Sequence, residues 1–216
     1  MATRSMSTRH VDDRDETAVR ARILAAAFAA FMANGYAATS TLEIATRARV
    51  SKRDLYALVG NKQEMLMACI AERARRFQMP ADPPMPRDRK SLARLLASFG
   101  ARLLREVSEP KVIAVFRLAI AEAVNAPEVA RTLDSTGREA GRTALRNIMQ
   151  QAQTSGLLDG GPAELAEQFR ALLWGDLMVS LLLGVAERPN EREIARRARD
   201  AAAAFLKLHP PESANR

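Results

Sequence analysis

Residues 39–62 read TSTLEIATRARVSKRDLYALVGNK, and this stretch has the grammar of two short helices joined by a tight turn. Ser40 is a good N-cap and Glu43 stands three residues on, the spacing of a capping box. The helix this predicts, over 41–47, turns Leu42, Ile44 and Ala45 inward. Ala48, Arg49 and Val50 leave room only for a turn. Ser51 is a second N-cap, with Asp54 three residues later, and the second helix, 52–59, buries Leu55 and Val59. Helix, short turn, helix is the arrangement whose second helix lies in the major groove of DNA.

The charges agree with that placement. From 47 to 62 the cations are Arg47, Arg49, Lys52, Arg53 and Lys62, and the single anion is Asp54. Cations near the start of a recognition helix neutralise phosphates or reach base edges, and arginine can pair bidentately with guanine. Tyr56, one turn beyond Lys52 and Arg53, can offer its hydroxyl to a phosphate. A charge run alone is more often a solvated face. Two capped helices at turn spacing tip the balance towards DNA. Asp54 either reads a base or completes the Ser51 cap.

The stretch and its flanks resemble the TetR (tetracycline repressor) type of bacterial regulators. The residues that carry the resemblance are Arg22-Ile23-Leu24, Ala26-Ala27, Phe31, Gly35-Tyr36, Thr39-Ser40, Ile44-Ala45, Ala48, Val50-Ser51, Leu55-Tyr56 and Lys62. They fall in the family's order and spacing over roughly residues 17–77, about a third of the chain. Three positions depart from the pattern. Arg49 stands where glycine is frequent, Asp54 where a small or hydroxylic residue is usual, and Val59 where an aromatic is usual. The candidate DNA contacts are Thr39, Thr41, Arg49, Lys52, Arg53, Tyr56 and Lys62.

Composition bounds the rest. The 216 residues are 48% apolar and only 5% aromatic, and alanine is abundant. No alternating β-branched run argues for a strand, so the expected class is all-α, with about nine helices. The net charge is +8. Residues 1–77 carry 13 Lys/Arg against 8 Asp/Glu, and the remainder 20 against 17, so the excess leans towards the front. That is where a polyanion would be met. The lone cysteine, Cys69, allows no internal disulfide and reads as a buried small hydrophobe. The N-terminus has no apolar core segment, and the most apolar run, 171–186, is interrupted by Asp176 and too short to span a bilayer. The expectation is a cytoplasmic protein that does not enter a membrane.

In chain order, residues 1–13 read as a mobile polar arm, in which Arg4 and Arg9 could reach a minor groove. A DNA-binding domain over 14–77 begins with a helix from about residue 13 to 34, whose stripe is Val19, Ile23, Leu24, Ala27, Phe28 and Phe31. Gly35 stops it. Asn61 and Glu64 cap a fourth helix, where Lys62 points at a helix N-terminus suited to anions. Residues 78–87, QMPADPPMPR, hold four prolines, so 78–90 reads as the linker between domains. A helical effector-binding and dimerisation domain is expected over 91–209, with helices near 91–107, 111–124, 127–155, 162–186 and 190–208. Gly137 and Gly141 lie inside the third of these, where a bend or a close approach would offset their cost of ~1 kcal/mol each. The 162–186 helix is apolar nearly all round, so one side faces its own domain and the other needs a partner. With 190–208 it can form a four-helix interface in a two-fold homodimer. The resemblance implies the same use of these helices.

The resemblance also implies a small-molecule effector whose binding releases operator DNA. Phe116, Ile120, Trp174 and Met178 could line an apolar cavity for it, with Arg117, Glu122 or Asp176 as polar fixing groups. Catalysis is not expected. The histidines, His10 and His209, lie in the tails, so no His-based triad or multi-His metal site is at hand, and no glycine-rich phosphate loop is present. No catalytic residue, metal ligand or cofactor is assigned. The alternative to a sequence-specific regulator, most often a repressor in such a family, is a helical interaction protein with a basic head and no sequence preference among duplexes.

Overall fold

The computed structural model describes residues 5–74 and 85–210, with side-chain surroundings for 15–72 and 85–210. Among these residues every regular element is helical, and none is long and apolar enough to cross a membrane. The chain forms two units.

The first unit joins the N-terminal 73 residues to residues 115–136. Helix α1, Ser5–Asn34, begins inside the segment expected as an arm, since no proline or glycine interrupts residues 5–34. Arg4 lies outside the described residues. The buried stripe of α1 is Ile23, Leu24, Ala27, Ala30 and Phe31. Gly35, at φ +83°, ends it with a hydrogen bond from its N–H to the Phe31 carbonyl at 3.0 Å. Helices α2 (Thr41–Ala48), α3 (Lys52–Leu58) and α4 (Lys62–Ala74) follow. Ile44, Ala45, Ala48, Leu55, Met65, Leu66, Cys69 and Ile70 join the α1 stripe in one core. Cys69 is buried there, its thiol donating to the Leu24 carbonyl at 3.4 Å. Leu42, expected inside, is 63% exposed, because Ile44, Ala45 and Ala48 define the inward face of this two-turn helix.

Helix α5 is Arg89–Val107, α6 is Pro110–Ala121 and α7 is Pro127–Thr132. From α6, Val115, Leu118 and Ala119, and from α7 and its flanks, Ala126, Val129 and Leu133, enter the same core as the helix-turn-helix. The compact units run across the division expected at the proline-rich segment: residues 115–136, inside the expected 91–209 domain, belong with the first unit. Part of that linker lies outside the described residues, and its end is already the start of α5, capped by Asp88. The Asp88 carboxylate accepts from the Ser91 N–H at 2.6 Å, and the Ser91 hydroxyl accepts from the Asp88 N–H at 3.0 Å.

The second unit holds α5, α8 (Glu139–Thr154), α9 (Pro162–Trp174), α10 (Leu177–Leu183) and α11 (Glu191–Leu208). Helix α11 packs along α5 and α9, and α8 along α9 and α5. Phe99, Phe169 and Phe205 are fully buried there, the last two edge to face at 5.7 Å between ring centres. Gly100 permits a close approach, since a Cβ on it would meet Leu173 at 3.0 Å and Phe169 at 3.4 Å.

Two helices expected as continuous are interrupted. A π-helical turn, Leu133–Arg138, separates α7 from α8 and contains Gly137. Gly175, at φ 45° and ψ −128°, separates α9 from α10. The described chain thus has more helical segments than the nine expected.

Candidate nucleic-acid interface

The helix-turn-helix is held by caps that sequence spacing foretells and by long-range bonds that it does not. At α2, the Ser40 hydroxyl accepts from the Glu43 N–H at 3.1 Å. The expected return bond from Glu43 is absent among the described contacts. Its carboxylate accepts instead from the Asn34 side chain at 2.8 Å and pairs with Arg47 at 3.6 Å. The end of α2 is a left-handed cap at Arg49, φ 54°, with the Arg49 N–H donating to Thr46 and the Val50 N–H to Ala45, both at 3.1 Å. This is the Schellman arrangement, with arginine where glycine is favoured. Arg22 donates its Nε–H to the Ala48 carbonyl at 2.8 Å and so ties the end of α2 to α1.

Helix α3 starts at Ser51, whose hydroxyl accepts from the Asp54 N–H at 3.0 Å and donates to the Asp54 carboxylate at 2.7 Å. Asp54 is thus engaged in the cap. Fully buried Leu55 anchors the helix from below, with Leu58 and Val59 half-buried beside it. Lys52 and Arg53 are exposed on its first turn, next to Arg49. No ion pair or hydrogen bond of the described residues engages the Arg49, Lys52 or Arg53 side chains. Tyr56 is 44% exposed and shares a 3.2 Å hydrogen bond with the Thr41 hydroxyl, which links the openings of α2 and α3. An open groove of ≈ 630 Å³ runs beside the turn, bordered by Arg22, Arg49, Val50, Ser51 and Asp54.

Two expected contacts, Thr39 and Lys62, are bonded within the head. Thr39 is buried, and its hydroxyl is bonded to the Gly35 carbonyl at 2.7 Å and the Ala30 carbonyl at 3.2 Å, so it latches α1 to α2. Lys62 spends its three N–H groups on the carbonyls of Tyr36, Ala37 and Thr39, at 3.0, 3.2 and 3.1 Å. Its ammonium also lies 4.6 Å from the centre of the Tyr36 ring. The three ammonium donors are thus held within the head. Tyr36 is buried against Phe31, and burial raises its phenol pKa, with the Glu128 and Glu122 carboxylates acting the same way. Of the other candidates, Thr41 is half-buried, and Arg49, Lys52, Arg53 and Tyr56 are exposed.

Residues 23–69 match the family model described as bacterial regulatory proteins, tetR family, and residues 94–209 match that described as the AefR-like transcriptional repressor, C-terminal domain. The chain belongs to the TetR family. It is a transcriptional regulator with a helix-turn-helix DNA-binding domain. The flavonoid-responsive regulator FrrA is 28% identical over 91% of this chain and 99% of its own, with a TM-score of 0.76. A TetR regulator from Agrobacterium tumefaciens is 27% identical over 91% and 97%, with a TM-score of 0.72. A TetR-family protein from Mesorhizobium loti shares the fold at 24% identity over 90% and 98%, with a TM-score of 0.69. Comparison with curated protein sequences gives no match.

In this TetR-family chain the five effector-pocket candidates fall in both units. Phe116, Arg117 and Ile120 lie in the first unit, where Ile120 is exposed, while Trp174 and Met178 lie in the second. Neither the groove beside the turn nor an open ≈ 410 Å³ concavity at the start of α11 is lined by any of them. The residues that sequence reasoning left without a role at the head are Arg22 and Glu122. Their partners, Ala48 and Ala37, lie 26 and 85 residues away, beyond any local spacing rule.

Proposed function

We propose that this regulator is a cytoplasmic homodimeric repressor that reads a palindromic operator and is released from it by a small effector. The observation that carries the reading is the group of three cations without partners among the described residues, Arg49 in the turn and Lys52 and Arg53 at the start of a helix whose own anion is consumed by its cap. Such a helix offers positive charge and bidentate donors to a groove edge without first breaking an ion pair. One head of seven helical residues makes few base contacts, so two heads on two half-sites are needed for useful specificity. The dimer forms through α9, α10 and α11, where Val179, Leu183 and Leu208, with Val185 just after α10, leave apolar surface exposed. The effector is a hydrophobic or aromatic molecule, a reading supported by the apolar candidates Phe116, Trp174 and Met178 and by likeness to a flavonoid-responsive regulator. Activity consists of binding and release rather than catalysis, with ligand and DNA preferring different head spacings.

The test is selection of bound duplexes from a random DNA pool at near-physiological salt. A recovered palindrome is expected, and its half-site spacing would give the separation of the heads. Recovery of no motif by a folded dimer would overturn the reading and favour a basic interaction head without sequence preference.

A further inference from the structure

A buried carboxylate in the first unit has no task in the scheme above. Glu122 follows the last residue of α6 and is only 7% exposed. Its Oε1 accepts from the Ala37 N–H at 3.0 Å. A Cβ added to Gly35 would stand 2.8 Å from the same oxygen, so the turn can lie this close to the carboxylate because residue 35 is glycine. The turn is held at its other polar groups as well. Lys62 takes the carbonyls of Tyr36, Ala37 and Thr39, and the Thr39 hydroxyl bonds the Gly35 carbonyl. An anion thus holds an N–H of the α1–α2 turn while a cation holds its carbonyls.

Burying a charge costs free energy that an apolar side chain would not incur. A charge-assisted bond to a backbone N–H returns part of that cost and fixes a geometry. The geometry fixed here is that of residues 35–39, which set the direction in which α2 leaves α1. Helices α2 and α3 then carry Thr41, Arg49, Lys52, Arg53 and Tyr56 with them. We propose that Glu122 is a positioning residue for DNA recognition. From the α6–α7 segment it fixes the α1–α2 turn and thereby the aim of the recognition helix. The segment 115–136 falls within the match to the C-terminal repressor model, yet it builds the core of the head. The aim of the head is therefore set in part by residues outside the N-terminal match.

The inference rests on the DNA-binding reading, and the experiment separates the two. The probes are the duplex that wild-type protein selects from the random pool and a scrambled duplex of the same composition. Full-length Glu122→Ala, Glu122→Gln and Glu122→Asp are compared with wild type in three readouts: affinity ratio for the two duplexes, thermal midpoint, and hydrogen exchange at the Ala37 amide. Glu122→Gln keeps an acceptor for Ala37 and should hold the ratio within about threefold of wild type. Glu122→Ala loses the acceptor and should lower the ratio about tenfold, the equivalent of one hydrogen bond's geometry, with faster exchange at Ala37. Should Glu122→Ala fail to fold, Glu122→Asp decides, since it keeps the charge but falls one methylene short and should lose the ratio in the same way. A carboxylate that merely stabilises the core would lower the midpoint and weaken both duplexes alike. An unchanged ratio in a folded variant with accelerated Ala37 exchange overturns the proposal alone. A wild-type protein that selects no motif overturns the DNA-binding reading and the proposal with it.

Discussion

Arg49 occupies a left-handed backbone position, φ 54°, and is the only non-glycine residue with positive φ among those described. For a side chain with a Cβ this conformation costs about 1 kcal/mol relative to glycine. Its guanidinium nevertheless has no partner among the described residues and lies near Lys52 and Arg53 in sequence, where a phosphate is expected. Arg49→Gly should raise stability in urea by up to about 1 kcal/mol while lowering DNA affinity and the salt slope by about one charge. A stability gain without a loss of binding would remove Arg49 from the interface. The reverse pairing is expected at Lys62. Lys62→Met deprives three carbonyls of their donor and should cost about 2 kcal/mol, leaving the salt slope unchanged. Lys52→Ala should leave stability within about 0.5 kcal/mol and lower the slope by about one. A Lys62→Met protein of normal stability and reduced slope would return that lysine to the phosphate set. These residues show what is legible at this scale. The N-caps at Ser40, Ser51 and Asn61 follow from spacing alone, because their partners lie two or three residues away. The bonds of Lys62 are less legible, because its helix N-terminus is local and visible while its carbonyl partners lie 23 to 26 residues back.

At the scale of elements, apolar periodicity places the helices well and fails where backbone geometry intervenes. The stripes on α1, α5 and α11 are buried largely as their spacing requires, since long helices average over many turns. Helix α2 has only eight residues, and the frame of its stripe shifts enough to leave Leu42 outside. The 162–186 helix reads as continuous because glycine is tolerated inside a helix at a cost of about 1 kcal/mol. The break at Gly175 is instead made permanent by its neighbours. Arg197 on α11 donates to the Leu173 and Trp174 carbonyls at 3.3 and 3.1 Å, replacing the helical bonds that end there. The Ser180 hydroxyl bonds Asp176 at 2.7 Å and steadies the start of α10. Gly175 adopts φ 45° and ψ −128°, a region that residues with a Cβ avoid. Gly175→Ala should therefore cost about 1–3 kcal/mol in chemical denaturation. A gain in stability would mean that a straight helix is the better state and that the break is incidental.

At the scale of the whole molecule, the proline-rich segment is a legible punctuation but a poor guide to the units. The head completes its core with α6 and α7, and no composition shift announces that Val115, Leu118 and Val129 belong with Phe31 and Ile44. The unmatched apolar surface of the second unit is more legible, since a helix apolar nearly all round must face something on two sides. Leu165, Phe169 and Leu173 are buried within the unit, whereas Leu183 and Val185 remain 71% and 76% exposed. Val179 and Leu183 stand four residues apart on α10, so they share one stripe. Glutamate at both would place two charges in any interface formed by that stripe, at a desolvation cost the apolar side chains do not incur. Both side chains are exposed in the chain by itself, so the double substitution should keep its helical content. The expected result of Val179→Glu with Leu183→Glu is a folded chain that light scattering measures at 23.7 kDa rather than twice that mass. Affinity for a selected palindrome should fall more than tenfold, because one head retains only half of the contacts, while affinity for an isolated half-site should be unchanged. A protein that remains dimeric and keeps its palindrome affinity would place the interface on another face of α9 or α11.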